Sequence, residues 1–282
     1  RIDRPAALRA ARHEPQQPAV EVARVRRARR IESDLLEAPE VLRVVTPFGD
    51  PSGDVTVGSV AGRAVAFLPR HGADHRHPPH RIPYRANLWA LRSLGVRQVL
   101  APCAVGGLQP QLGPGTLVVP DQLVDRTSGR VQTFHDTGAV HVSFADPYCP
   151  AGRAAVLVAA RDWPAVDGGT MVVVEGPRFS TRAESHWYSA QGWSLVNMTG
   201  HPEAVLAREL ALCYTAVALV TDLDAGVEGA EAVTQEEVFR VFGENTARLR
   251  ELLHDVVAAL PEERTCPCPA ALDGIDHDLV LP

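Results

Sequence analysis

The strongest constraint on the fold is the regular alternation of short apolar runs with stretches of helical periodicity from about residue 98 onward. The apolar runs lie at 99–101, 117–119, 171–174 and 217–220. Helical stretches separate them near 151–161, 180–191 and 202–212. Such alternation is typical of a mostly parallel sheet covered by helices on both faces. We therefore predict an α/β fold: a single domain with a mixed, largely parallel sheet flanked by helices.

Three further elements are predicted outside this alternating region. Two apolar runs at 55–57 and 64–68 flank a glycine-containing stretch, which indicates a hairpin. The leucines before Gly95 have helical spacing, and the glycine ends that helix. Thr234 and Glu237 are spaced as a capping box at the start of a long final helix. Its predicted apolar stripe is Val238, Phe239, Phe242, Leu249, Leu252, Leu253 and Val256.

Length and composition favour one globular domain. The chain has 282 residues, 45% apolar and 22% charged, near the upper size limit for a single core. We expect a poorly ordered, Arg-rich segment at 1–43, the domain at 44–260 and a tail at 261–282. Neither a run long enough to cross a bilayer nor a signal-like apolar stretch is present, so we expect no membrane association and a cytoplasmic location.

Five cysteines, an odd number, do not form the pattern of a disulfide framework. Cys266 and Cys268 form a C-x-C pair in the Pro-rich tail. A redox role is one interpretation of such a pair. We favour an exposed thiol pair without a function.

Two carboxylates follow the last apolar run, where ligands of open α/β sheets bind. Asp222 and Asp224 stand two apart, so extended backbone points both the same way and turns Leu223 into the core. Paired acceptors suit a purine protonated on N7 beside its amino group, and a carboxyl with a raised pKa can protonate a leaving base. A metal site or a solvated turn is the alternative. We favour base recognition because this segment contains no further carboxylate or histidine ligands.

A basic loop follows the predicted hairpin. Residues 71–80 contain four histidines, yet two prolines and the absence of a regular helical histidine pair disfavour a closed metal shell. Arg70 and His71 suit an oxyanion, because arginine offers forked donors and Gly72 permits close backbone approach. Thr199 precedes a predicted helix, whose free N–H groups and dipole also attract anions. A plain polar loop and an ordinary helix cap are the alternatives.

Six segments of the chain, taken in order, carry a more specific pattern. They are Arg70-His71-Gly72, then 84–91, 120–127, 175–185, 197–199 and 221–224. Together they resemble the methylthioadenosine phosphorylase family of purine nucleoside phosphorylases, over roughly residues 44 to 260. Glu-Gly-Pro-Arg-Phe with Asn-Met-Thr downstream is the most specific part. The resemblance implies a pentosyltransferase of purine salvage, a homotrimer without metal or other cofactor that uses inorganic phosphate as co-substrate.

The resemblance also implies a role for individual residues by position. The implied phosphate ligands are Arg70, His71, Ala104 and Thr199. The implied nucleoside contacts are Phe179, Asn197, Met198, Gln235, Val238 and His141, the last reaching into the 5′ pocket of a neighbouring subunit. Asp222 is implied as the acid that protonates N7, and Asp224 as the acceptor from the 6-amino group. Because the ribosyl transition state is oxocarbenium-like, phosphate and a protonated base supply most of its stabilisation.

The implied reaction is phosphorolysis of the N-glycosidic bond of a 6-aminopurine nucleoside, 5′-methylthioadenosine or adenosine. Its products are adenine and (methylthio)ribose-1-phosphate. Inosine or methylthioinosine is the closest rival substrate, but 6-oxopurine members of the family carry Asn where this chain has Asp222. Nucleic-acid binding through the Arg-rich segment is a further alternative, which the acidic remainder of the chain disfavours.

Three departures from the family pattern bear on activity. Residues 26–33 hold an arginine run without glycine where the family has a glycine-rich phosphate loop. Either the arginines replace backbone donors by charge, or the chain has lost a catalytic part. Bulky arginines cannot make that turn, so we expect impaired activity, and a silent scaffold is the alternative. Cys103 replaces a threonine hydroxyl. Gln235 replaces an apolar residue of methylthio-selective members, so adenosine is expected to compete.

Overall fold

The chain folds as two sheets with helices packed around the larger one, as seen in a computed structural model that describes residues 22–25, 35–227, 232–279 and 281–282. The strands are β1 Val22–Val25, β2 Glu37–Val44, β3 Val55–Val60, β4 Arg63–Phe67, β5 Gln98–Gly107, β6 Leu117–Val119, β7 Gln122–Arg126, β8 Ala165–Asp167, β9 Thr170–Val174, β10 Leu195–Asn197 and β11 Cys213–Leu223. The α-helices are α1 Tyr84–Ser93, α2 Pro150–Ala159, α3 Arg182–Ala190, α4 Gly200–Glu209 and α5 Gln235–Ala259. Short 3-10 helices lie at Pro79–Arg81 and Cys268–Ala270.

The larger sheet has seven strands in the order β7-β9-β10-β5-β11-β6-β8. Its neighbours run parallel except at two places, where β10 meets β5 and where β11 meets β6. The predicted α/β fold with a mixed, largely parallel sheet is confirmed. Parallel neighbours require crossover connections, which α2, α3 and α4 help to form between the strands.

The core lies on both faces of β11. This strand lies between β5 and β6, and alternate residues face opposite layers. Tyr214, Ala216, Ala218 and Val220 pack towards α1 and α4, while Val217 and Leu219 pack towards α2 and α5. Burial of both faces explains the continuous apolar run in the sequence. It also makes β11 a rigid support for whatever its carboxyl end carries.

The smaller sheet is antiparallel, in the order β1-β2-β3-β4. The predicted hairpin is confirmed, because β3 pairs antiparallel with β4 from Thr56–Phe67 to Val60–Arg63. Residues 37–43 were expected to be poorly ordered, but they form most of β2, so the boundary proposed at residue 44 falls inside a strand. Residues 1–21 and 26–34, with the arginine run, lie outside the described residues.

The helix ends combine the expected signals with one departure. Gly95 adopts φ +89° after α1, as predicted for a terminating glycine. At α5, the Thr234 hydroxyl accepts from the Glu237 N–H at 3.3 Å. The Glu237 carboxylate pairs with Arg240 instead of returning to Thr234, so only half of the predicted capping box forms. Phe239, placed in the apolar stripe by its spacing, is 53% exposed.

The C-terminal tail packs on the domain. Leu279 and Leu281 lie against the main core, and Cys268 is 1% exposed. The interpretation of Cys266 and Cys268 as an exposed thiol pair is therefore wrong for Cys268, while Cys266 is half-buried. None of the described helices is both long and apolar enough to cross a bilayer.

Candidate functional site

One segment of β5, residues 102–106, contacts the other parts of the candidate site. Its contacts pair Pro102 with Arg70, Ala104 with Asn197, Val105 with Thr221, and Gly106 with Asp222. The first three are hydrogen bonds of 3.3 Å to main-chain carbonyls. Residues at the carboxyl ends of three other strands, β4, β10 and β11, therefore meet around β5, which itself continues through 102–107 instead of ending at residue 101.

Arg70 follows β4 and is held by a buried carboxylate. Its Nε and Nη2 donate to the two carboxylate oxygens of Glu203 at 2.6 and 2.8 Å. The Tyr214 hydroxyl also donates to Glu203, at 2.7 Å. Burial lowers the pKa of Arg70, but the Glu203 charge outweighs it and raises the pKa above its ordinary value. With Pro102, these contacts use three of the five guanidinium donors, so two remain for an anion.

His71 uses one ring nitrogen, Nδ1, in a hydrogen bond to the protein, which leaves Nε2 for a ligand. Its Nδ1 lies 2.9 Å from the His77 carbonyl oxygen, which can only accept, so Nδ1 carries the proton. Burial lowers the pKa of His71, and the Arg70 charge lowers it further, against the raising effect of the His77 bond. The neutral ring therefore keeps an acceptor at Nε2. Gly72 adopts φ +78° in this loop, a conformation that a side chain would strain.

Asn197 ends β10 and organises the start of α4. Its Oδ1 accepts from the N–H groups of Thr199 at 2.8 Å and Gly200 at 2.7 Å, while its Nδ2 donates to the Ala104 carbonyl. The Thr199 hydroxyl lies 3.4 Å from the same Oδ1. Asn197 was expected beside the nucleoside; in the structure its amide joins β10, α4 and β5. Thr199 is buried at the start of α4, but its side chain caps no helix N–H and the backbone at His201 is non-helical, so the predicted helix start at Thr199 is interrupted by a kink.

Asp222 lies near the end of β11, inside the strand. A register shift after Val220 leaves no β5 residue directly opposite Thr221, and the Thr221 hydroxyl donates to Asp222 Oδ2 at 2.8 Å. Burial raises the pKa of Asp222 to about 6, helped by the charges of Asp224 and Glu237 and opposed by the Thr221 bond. A carboxyl in this range is suited to proton transfer near neutral pH.

Asp224 follows β11 and is 2% exposed. Burial raises its pKa, while hydroxyls of Ser185 and Ser180 lower it. A methyl group placed on Gly106 would lie 3.1 Å from Asp222 Oδ1 and 3.5 Å from the Asp224 Cβ. The two aspartates therefore lie on the same side, beside Gly106, as the alternation of extended backbone predicts.

Met198 and Phe179 lie on neighbouring segments. A Cβ on Gly176, which has φ +62°, would lie 2.6 Å from the Met198 sulfur, so the segment that leads to Phe179 passes close over Met198. The Phe179 side chain is half-buried. Arg130 fixes this region, because its Nη1 donates to the Met198 carbonyl at 2.9 Å and its Nη2 to the Glu175 carbonyl at 2.7 Å.

The remaining candidates lie at the margin. Gln235 is exposed and Val238 half-buried in the first turn of α5. Two observations place this turn near the site: the Glu237 charge acts on Asp222, and the Phe239 ring lies 6.0 Å from His75. His141 is exposed, in the irregular segment before α2.

Sequence reasoning missed three side chains that position the site: Glu203, Arg130 and Ser185. Each acts through a partner distant in sequence; Glu203 stands 133 positions from Arg70. A glutamate following a predicted anion-binding helix start was the available signal for Glu203. A cavity of about 380 Å³ adjoins Pro69 and Arg76 but is not lined by any candidate residue. Within the described chain, neither the histidine run nor the aspartate pair belongs to a cluster of three metal-capable side chains.

Comparison with known proteins identifies the family. The model of the phosphorylase superfamily matches residues 30–259. The chain is 65% identical over 254 residues to a purine nucleoside phosphorylase of Streptomyces coelicolor, covering 86% of this chain and 91% of the relative. It is 60% identical over 240 residues to an S-methyl-5′-thioadenosine phosphorylase of Mycolicibacterium smegmatis, covering 85% and 91%.

A solved structure agrees with these matches. A methylthioadenosine phosphorylase from an Antarctic soil metagenomic library superposes with a TM-score of 0.81 at 38% identity, covering 86% of this chain and 88% of that one. Fold, sequence and matched length therefore agree. The chain belongs to the phosphorylase superfamily.

Proposed function

We propose that this phosphorylase cleaves 6-aminopurine nucleosides with inorganic phosphate, releasing adenine and a ribose-1-phosphate. The observation that carries the proposal is the placement of Asp222, a carboxyl with a pKa raised to about 6, on the strand next to the segment that touches Arg70. A proton donor and an anion-binding group thus lie around one strand. The proposal agrees with the activities for which two relatives are named, a purine nucleoside phosphorylase and an S-methyl-5′-thioadenosine phosphorylase.

In the proposed reaction phosphate sits between the β4 loop and the start of α4. The two free donors of Arg70, the main chain at Ala104 and the Thr199 hydroxyl bind its oxygens. The unprotonated Nε2 of neutral His71 accepts a hydrogen bond from the O–H of hydrogen phosphate. Glu203 keeps the guanidinium oriented, so little reorganisation is needed when the sugar becomes cationic.

The base occupies the side of β5 that holds the aspartates. The bond between C1′ and the base nitrogen breaks, and its electron pair moves into the purine ring. Asp222 gives its proton to N7, which neutralises that charge, while Asp224 accepts from the 6-amino group. A phosphate oxygen then forms the new bond to C1′. Phe179 and Met198 pack on base and ribose with Asn197 beside them, and Arg130 holds the main chain at Glu175 and Met198.

The proposed 5′ pocket is formed by Gln235, Val238 and, from a neighbouring subunit, His141. Exposure of Gln235 and His141 in the single chain agrees with a pocket completed by assembly. We therefore propose a homotrimer with small-molecule substrates as its ligands. The five free thiols agree with a reducing compartment, the cytoplasm.

The test is release of free base from the purified chain incubated with phosphate and methylthioadenosine, adenosine or inosine. Adenine released only when phosphate is present supports the proposal. Hypoxanthine release from inosine in preference to adenine would favour a 6-oxopurine enzyme. No release from any nucleoside would indicate a scaffold, the outcome expected if the arginine run at 26–33 has removed an essential phosphate loop.

The 5′ preference has its own test. Gln235→Leu is expected to raise the ratio of kcat/KM for methylthioadenosine over adenosine about tenfold, because a buried hydroxyl without a partner costs on the order of 1–3 kcal/mol. Gln191→Leu, at the exposed end of α3, is the matched control and should leave the ratio unchanged. An unchanged ratio in Gln235→Leu would remove Gln235 from the pocket.

A further inference from the structure

Four cysteines from three separate parts of the chain meet at one point. Their sulfur atoms all lie within 4.8 Å of one another. Cys149 is the N-cap residue of α2, Cys213 is the first residue of β11, and Cys266 and Cys268 come from the tail. Cys149, Cys213 and Cys268 are buried, at 1–2% exposure. We call these four residues the cysteine cluster.

The surrounding backbone holds the cluster in place. The Cys149 N–H donates to the Tyr214 carbonyl at 2.8 Å, which ties α2 to β11. Gly152 allows this approach, because a Cβ there would lie 2.0 Å from Thr215 Oγ1. On the tail side, Arg264 donates to the Ala211 carbonyl at 2.8 Å. The cluster is therefore a product of specific packing on both sides of Cys213.

We propose that the cysteine cluster binds one Zn²⁺ in a tetrahedral four-thiolate site. At a Zn–S distance of about 2.3 Å, sulfurs at tetrahedral corners are about 3.8 Å apart, which agrees with four sulfurs mutually within 4.8 Å. The 3.4 Å between the sulfurs of Cys213 and Cys266 is far longer than a disulfide bond of about 2.05 Å. Two disulfides need only pairwise proximity, whereas this cluster brings all four sulfurs together.

Zinc binding replaces the four thiol protons of the cluster by one metal ion. Four S–H bonds break, four Zn–S bonds form and four protons pass to solvent, with no change of oxidation state. The Gly152 N–H lies 3.4 Å from the Cys149 sulfur and supplies a hydrogen bond to it. Soft thiolates select zinc over magnesium or calcium, which prefer oxygen ligands.

The site is structural and separate from the proposed catalysis. Four protein ligands leave no open position for substrate or water. Cys213 and Asp222 stand nine residues apart on β11, so at about 3.3 Å per residue the two sites are separated by about 30 Å. The ion would fasten the tail after α5 to the amino end of β11.

The first measurement is metal content and thiol count of the full-length wild-type protein purified without chelator. We expect about one zinc per chain, thiols that are protected from a thiol reagent in the native state, and five free thiols after denaturation with chelator. Cobalt substituted for the zinc should give the visible absorption of a tetrahedral tetrathiolate complex.

Variants locate the ligands. Cys268→Ser is expected to lower bound zinc at least tenfold and to lower Tm, whereas Cys103→Ser, which changes the one cysteine outside the cluster, should keep zinc at one per chain. Zinc near zero in the wild type, or a single free thiol after denaturation because two disulfides have formed, would overturn the proposal. Both results come from the wild type, so they hold even if Cys268→Ser fails to fold.

Discussion

Replacing Asp222 by asparagine should stabilise the fold while removing activity. The pKa of this carboxyl is raised from 3.8 to about 6, mainly because burial disfavours the charged form. At about 1.4 kcal/mol per pKa unit, ionised Asp222 costs the folded state about 3 kcal/mol above pH 6. Asparagine keeps an acceptor for the Thr221 hydroxyl and removes the charge. Asp222→Asn should therefore raise the free energy of unfolding at pH 8 by up to about 3 kcal/mol.

The sign of the pH dependence follows from the raised pKa. Below pH 3.8 Asp222 is neutral in both the folded and the unfolded chain, so wild type and variant should be equally stable. Between pH 3.8 and about 6 the unfolded chain loses its proton first, and the wild type loses stability that the variant keeps. The gap between the two proteins should open over this interval and stay constant above it.

The assay is chemical denaturation at several pH values, with base release measured on the same samples. Asp222→Asn should lose about 10²- to 10⁴-fold in kcat/KM for adenosine, the usual contribution of a general acid. In the wild type, kcat/KM should fall tenfold per pH unit above pH 6, because the protonated fraction falls. Asp162→Asn, at an exposed carboxyl, controls for the loss of one negative charge. A variant no more stable than wild type at pH 8, or a gap independent of pH, would refute the reasoning.

Three other substitutions test residues that position the groups of the proposed site. Glu203→Gln leaves buried Arg70 without a charged partner, so denaturation should show a loss of about 3–5 kcal/mol and kinetics a higher KM for phosphate; unchanged phosphate affinity would contradict the role of Glu203. Gly106→Ala places a Cβ 2.9 Å from Val196 and 3.1 Å from Asp222, so kcat/KM should fall at least about tenfold while circular dichroism shows the fold retained. Asn197→Ala leaves the buried N–H groups of Thr199 and Gly200 without their acceptor, so it should cost about 1–3 kcal/mol and weaken phosphate binding more than nucleoside binding, as measured by separate KM values. Equal changes in both KM values would argue against a specific link to phosphate.

Local patterns were sufficient to predict most elements of the fold. Apolar runs located β5, β6, β9 and β11, because strands covered on both faces of a sheet have continuous apolar sequences instead of alternating apolar and polar residues. Two-residue spacing placed Asp222 and Asp224 on one side, since extended backbone fixes side-chain direction. The hairpin of β3 and β4 was predicted from the glycine-containing stretch between two apolar runs.

What the sequence did not predict depends on contacts distant along the chain. Arg70 was expected to offer its forked donors to an oxyanion, but Glu203 takes two of them, and nothing in the local sequence pairs these two residues. Phe239 has core-like spacing yet is 53% exposed, and its ring lies 6.0 Å from His75, a residue far from it in sequence. The C-x-C motif suggested a surface pair; only the fold brings Cys149 and Cys213 to it.

Residues 102–106 contact the rest of the site largely through their own main-chain carbonyl oxygens, which every amino acid has. The geometry of the site therefore depends more on the main-chain conformation of residues 102–106 than on their amino-acid types. The side chains of residues 102–105 can therefore vary, as Cys103 illustrates, without moving Arg70, Asn197 or Thr221, whereas position 106 has no room for a side chain. Changes of substrate within such a lineage should accumulate in the surrounding loops, which makes those loops the place to redesign specificity.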